Sequence, residues 1–156
     1  MDFQIHALDE APFKPLFALS DAALAAQNAR RMVVTEKPGT PCRVSMQDAD
    51  VGERVLLLNY THLPADSPYR ATHAIFVREG ATQAQITVNS VPEVLRSRLL
   101  SLRAFDDQDM MIDADVMEGA EIAPALKDAF ERPEIAYIHL HNARPGCFAA
   151  LVTRAS

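Results

Sequence analysis

The chain has 156 residues, a formal net charge of −6, 49% hydrophobic residues and 23% charged ones. That length fits one domain with a real core. The acidic balance excludes a general nucleic-acid binder, because phosphate contacts need a clustered positive surface. No apolar run approaches the roughly 18 residues of a membrane span. The start MDFQIHALDE has no cationic segment leading into an apolar one, so a cytoplasmic protein without a secretory signal is expected.

Strand signals dominate in chain order. FQIHAL (Phe3 to Leu8), RMVVTE (Arg31 to Glu36) and ERVLLLNY (Glu53 to Tyr60) are short, apolar and bounded by breakers. HAIFVRE (His73 to Glu79), LLSLRAFD (Leu99 to Asp106) and MMIDADVME (Met110 to Glu118) follow, and IAYIHLH and CFAALVTR close the series. Helices are few. Ser20 can cap an alanine-rich turn, DAALAAQNA, and Ser90 a second across VPEVLRSR with Pro92 in its first turn. A third, PALKDAFE, starts near Pro124 and must stop before Pro133. The expected fold is a single α+β domain over residues 1–156, with a mostly antiparallel sheet of about eight strands and two to three short helices. Lys37 to Gly52 and Thr61 to Thr72 read as long loops, where a rigid scaffold can present polar groups.

Near the end, YIHLHNARPGCFAALV places Tyr137, His139 and His141 on one strand face and Ala136, Ile138 and Leu140 on the other. The second face belongs to the core. The two imidazoles stand about 7 Å apart on the first, and zinc would require at least one more ligand. Cys147 could supply it if it pairs opposite His141. That register also buries Phe148, Ala150 and Val152 beside Leu140 and Ile138, and it is the one the pattern favours. A slip by one puts Asn142 opposite Cys147 and takes the thiol away. His62 and His73 could join only through tertiary folding. Metal is therefore not the favoured reading. His139 and His141 are its candidates and zinc the cation they would take, against a bland reading as polar residues on a hairpin face.

Other groups carry weaker signals. Cys42 and Cys147 are too few for a disulfide framework and are expected as free thiols. Arg43 beside Cys42 could lower that thiol's pKa, and Cys147 with His139, His141 and Asn142 has the residue types of thiol catalysis. Neither cysteine lies in a nucleophile signature, so no reaction class follows. Arg103 sits in a buried-looking strand. It is expected either to pair with Asp106, Asp113 or Glu53 or to grasp an anion. The acidic run FDDQDMMIDAD lacks calcium-loop spacing, and five scattered glycines form no phosphate loop.

Pro41-Cys42-Arg43, Gly52-Glu53 with LLLNY after it, Ser67-Pro68-Tyr69, Ile75-Phe76-Val77, LRAFD (Leu102 to Asp106) and YIHLHNARPGCF (Tyr137 to Phe148) occur in that order. Together they resemble a bacterial family catalogued as domain of unknown function 1203, over about Phe3 to Arg154. The resemblance implies a small single-domain bacterial protein and transfers no catalytic residue. The chain departs from that pattern at His141, where Arg or another residue is expected, and in the THAIFV lead-in that holds His73. Both departures count against a family-wide metal site on those residues.

Two readings follow. One is a site for a small anionic molecule where Cys42 and Arg43 meet Tyr69, Arg103, His139, Asn142 and Cys147. The other is a non-catalytic interaction module that forms a homo-oligomer or meets a protein partner through a sheet edge. Convergence of Arg43, Arg103 and His139 in one pocket would favour the first. Neither reading involves nucleic acid or a membrane.

Overall fold

The computed structural model describes all 156 residues. Strands β1 (Phe3–His6) and β2 (Ala29–Val33) flank a 3-10 turn at Lys14–Ala18 and helix α1 (Asp21–Ala25). Strands β3 (Arg54–Leu63) and β4 (Ala71–Arg78) form a hairpin, and helix α2 (Glu93–Arg96) leads into β5 (Leu99–Phe105) and β6 (Met111–Glu118). A 3-10 turn at Gly119–Glu121 runs into α3 (Ile122–Phe130), and β7 (Tyr137–Asn142) and β8 (Phe148–Arg154) finish the chain. No helix is long and apolar enough to cross a membrane.

The α+β class and the eight strands match the sequence reading, but the strands form two sheets rather than one. A five-stranded sheet has the order β1-β8-β7-β5-β6, and a three-stranded sheet the order β2-β3-β4. Every ladder pairing in both is antiparallel. Each sheet has its own core. Ile5, Leu100, Leu102, Ile138, Leu140 and Val152 of the larger sheet bury against Ile122, Leu126 and Phe130 of α3. Those three helix residues recur every four positions, which places them on one stripe. Leu56, Leu58, Ile75 and Val77 of the smaller sheet pack instead with Phe13, Leu24, Cys42 and Val44.

Local signals account for most boundaries. Ser20 caps α1, its Oγ accepting from Ala23 N at 3.1 Å. Ser90 does not cap α2; the N-cap is Pro92, without a side-chain hydrogen bond, so only one turn of helix forms. The expected loop Thr61 to Thr72 proves shorter. Strand β3 continues to Leu63 through an irregularity at Thr61/Leu63, and β4 already begins at Ala71. His62 and His73 therefore sit on strands.

The last hairpin corrects the favoured register. Leu140 pairs with Ala150, but His141 pairs with Phe148, so the ladder shifts by one residue there. This bulge turns Phe148 onto the histidine side, where its ring stacks on His62 at 5.0 Å and 11°. Ala150 and Val152 stay in the core as expected. Asn142 N donates to Cys147 O at 2.9 Å, and Cys147 leaves the histidine face.

Candidate functional site

The face of the larger sheet opposite α3 carries three cross-strand rows. Ser101 lies opposite His141, Arg103 opposite His139 and Phe105 opposite Tyr137. The smaller sheet closes over this face with His62 from β3 and His73 from β4. Ring centroids of His62 lie 4.7 Å from His73, 5.2 Å from His139 and 5.0 Å from His141. Four imidazoles from three strands thus meet between the sheets. Phe148 supplies an apolar wall to the cluster, and Phe105 packs against His139.

The rings are linked. His73 Nδ1 lies 2.7 Å from His62 Nε2, and His62 Nδ1 lies 3.2 Å from His139 Nδ1. His141 Nδ1 is 3.0 Å from Gly146 O. A carbonyl only accepts, so His141 carries its proton on Nδ1 and its lone pair on Nε2. His139 and His141 are only 4% and 1% exposed. Burial pushes His62 and His141 down to about 3 and His139 to about 4, and Arg103 adds its positive charge against each ring. Burial, then Arg103, lowers His73 as well. All four rings are neutral at pH 7.

Neutral imidazole is a metal-ligand form. One ring nitrogen each from His62, His139 and His141 lies within 4.8 Å of the others. Two zinc–nitrogen bonds of about 2.05 Å at the tetrahedral angle separate their nitrogens by about 3.3 Å. The observed 3.2 Å between His62 Nδ1 and His139 Nδ1 meets that spacing, and the widest pair need close by at most about 1.5 Å. The hydrogen bonds from His141 to Gly146 and between His62 and His73 orient the rings from behind, as the partners of metal-bound histidines do.

The surroundings favour an anion. Arg103 makes no ion pair; its Nε donates to Ser101 Oγ at 3.2 Å. The carboxylates expected to pair with it are engaged elsewhere: Asp106 accepts from Gln108 N and Met110 N, Asp113 pairs with Arg132 and Glu53 with Arg78. Tyr137 OH donates to Asp109 at 2.6 Å, and burial followed by that carboxylate pushes its pKa well up. His62, His139, Tyr137 and Asp109 line an open groove of about 570 Å³ that leads to the cluster. Tyr69 lies outside the groove's lining, edge-on to Phe105 at 6.0 Å.

The single pocket expected from the sequence therefore divides. Arg103, His139 and His141 meet at the cluster, and Tyr69 reaches only Phe105 beside it. Arg43, Asn142 and Cys147 meet at another cavity, at the end of β7. Cys42 joins neither, being 1% exposed inside the smaller core, with its sulfur accepting from Ser45 N and Arg78 N. The sequence reading allowed His62 and His73 to join His139 only through tertiary folding and left them out of the candidate site, and tertiary folding is what brings them there. The strand alternation Leu58-Tyr60-His62, carried past Tyr60, was the signal for His62.

Fold and site together define an α+β protein with a neutral histidine cluster clasped between two antiparallel sheets. The chain belongs to the family described as protein of unknown function (DUF1203), which matches residues 39–154. That span holds the whole cluster and the Cys147 cavity. No curated protein and no solved structure matches the chain.

Proposed function

We propose that the protein binds a divalent transition metal of the zinc class at His62, His139 and His141, and that this metal and Arg103 together receive a small anionic ligand. The observation that carries the reading is the approach of three neutral imidazole nitrogens to within 4.8 Å of one another. Three protein ligands leave one tetrahedral position free, the arrangement of a metal that takes an exogenous ligand rather than a purely structural one. The groove gives that position access to solvent. Arg103, free of any carboxylate, provides a second positive contact and, with Nε–H held by Ser101, the donors of its two Nη groups for a carboxylate or phosphate. Because the resemblance puts other residues at His141 and beside His73, the proposal is made for this chain and not for its family.

Chelator-treated protein titrated with zinc in a calorimeter tests the reading. One equivalent should bind, and His62→Ala or His139→Ala should weaken binding more than about tenfold. A protein that takes up no zinc, or takes it up equally well in both variants, overturns the proposal.

A further inference from the structure

At the end of β7, beside the turn whose Gly146 O holds His141, Arg43, Asn142 and Cys147 line a cavity of about 400 Å³. Arg43 is 2% exposed. Its Nε donates to Phe148 O at 2.7 Å, Nη1 to Pro41 O at 2.6 Å and Nη2 to Cys147 Sγ at 3.1 Å. It has no carboxylate partner, and a buried guanidinium without a counter-charge is costly. Of its three acceptors only the Cys147 sulfur can become an anion. Asn142 Nδ2 also points at that sulfur, at 3.7 Å.

Two further observations concern what would enter the cavity. Asn142 is 5% exposed and its Oδ1 is buried without a hydrogen-bond partner, so it lacks a donor that an occupant could bring. Arg144, exposed at the rim and lining the same cavity, makes no ion pair and offers its charge to an acidic occupant. An N–H donor and a carboxylate flanking a sulfur-reactive centre are the features of a peptidic thiol.

We propose that Cys147, whose sulfur accepts from Arg43, is a nucleophile that reacts through its thiolate form to give a mixed disulfide with a carboxylate-bearing peptidic disulfide of the glutathione class. The Cys147 sulfur attacks one sulfur of the incoming disulfide and a new S–S bond forms. The old S–S bond breaks, and its electron pair leaves on the second thiolate, which takes a proton from water. One disulfide replaces another, so no external oxidant enters. Asn142 Oδ1 accepts the peptide N–H, and Arg144 holds a carboxylate. Cys42, enclosed in the smaller core, cannot displace the adduct, which stands until a second small thiol attacks it. The proposal stands apart from metal binding, since it uses none of the cluster residues.

The test uses the whole reduced protein, exposed in parallel to glutathione disulfide and to neutral hydroxyethyl disulfide. Intact mass and peptide mapping follow the adducts over time. A single adduct should form on Cys147, faster with glutathione disulfide, and Cys147→Ser should abolish it. Arg144→Ala, at an exposed position, should slow the glutathione reaction about threefold and leave the neutral one unchanged. Adducts on Cys42 alone, no preference for the acidic disulfide, or an Arg144→Ala protein with unaltered rates would each overturn the proposal.

Discussion

Arg103 and His139 face each other across the β5–β7 ladder, and neither forms an ion pair with a carboxylate. The pair thus sets an uncompensated cation beside a neutral ring at the wall of the histidine cluster. With a metal bound, that cation repels the metal and attracts whatever anion takes the free position. Arg103→Gln should therefore separate the two events. Cobalt(II), which takes the same ligand types, reports on them through its visible bands as formate is added. The variant should bind cobalt at least as tightly as the original and formate about tenfold more weakly, the loss expected for a charge-assisted hydrogen bond. Formate binding that survives the substitution would remove Arg103 from the site.

Acid should weaken the metal-free protein in a defined window. The folded values, about 4 for His139 and about 3 for His141, lie below the ordinary 6.5. Between those limits the unfolded chain binds more protons than the folded one, so stability falls as pH falls. It is complete above pH 6.5 and is lost progressively down to about pH 4 and below. At pH 5 each buried ring should cost on the order of 1–2 kcal/mol, with His62 adding a smaller amount of the same sign. Urea unfolding of metal-free protein at pH 7.5 and pH 5 measures this directly. Equal midpoints, or a His139→Gln variant with the same pH response, would show that these rings do not control acid stability.

Much of this architecture could be read from the sequence because its strands are short, apolar and cleanly bounded. Pro124 and Pro133 bracket α3, which starts two residues before Pro124 at Ile122, and Ser20 marks the start of α1 chemically. What escaped was set by distance along the chain. His62 and His139 are separated by 77 residues and meet only because two sheets stack, a relation no local pattern encodes. The bulge at His141 was equally hidden. Period-2 alternation in the last hairpin allowed two registers, and the choice that buried Phe148 in the main core ignored a second apolar demand, the wall behind His62. Arg103 misled in the other direction. Acidic residues are plentiful, yet Asp113 and Glu53 already hold Arg132 and Arg78.

The segment that carries Arg43 is tied to the larger sheet by a pair the sequence did not suggest. Arg98 Nη2 reaches Asp48 Oδ1 at 2.7 Å and Nη1 reaches Oδ2 at 3.2 Å, while Nη1 also donates to Val94 O at 2.8 Å. Both side chains are mostly covered, at 20% and 12% exposure. Asp48→Asn removes the charge and one acceptor and leaves the guanidinium half-solvated, at a cost of about 2 kcal/mol. Urea unfolding should show that loss, and adding Arg98→Gln should cost less than the two single changes summed. Strict additivity would mean that the two groups do not stabilise each other.

Gly119 makes the tightest approach of the five glycines, and the reason is space rather than backbone freedom. A Cβ built there would lie 1.8 Å from Leu95 O and 2.8 Å from Arg98 O, and both atoms are backbone. Gly119 N also donates to Arg98 O at 2.7 Å, so the 3-10 turn before α3 is pressed against the junction of α2 and β5. No side-chain rotation can relieve such a contact. Gly119→Ala must push the turn away, losing that hydrogen bond and loosening Leu95 and Ile122 in the main core. The expected cost is about 3 kcal/mol, the upper part of the usual range for overpacking. Because Ser97, Arg98 and Leu99 line the Cys147 cavity, the shift should also change the rate of Cys147 alkylation by iodoacetamide. Unfolding at the original urea midpoint would mean that the turn and the α2–β5 junction stand further apart than described.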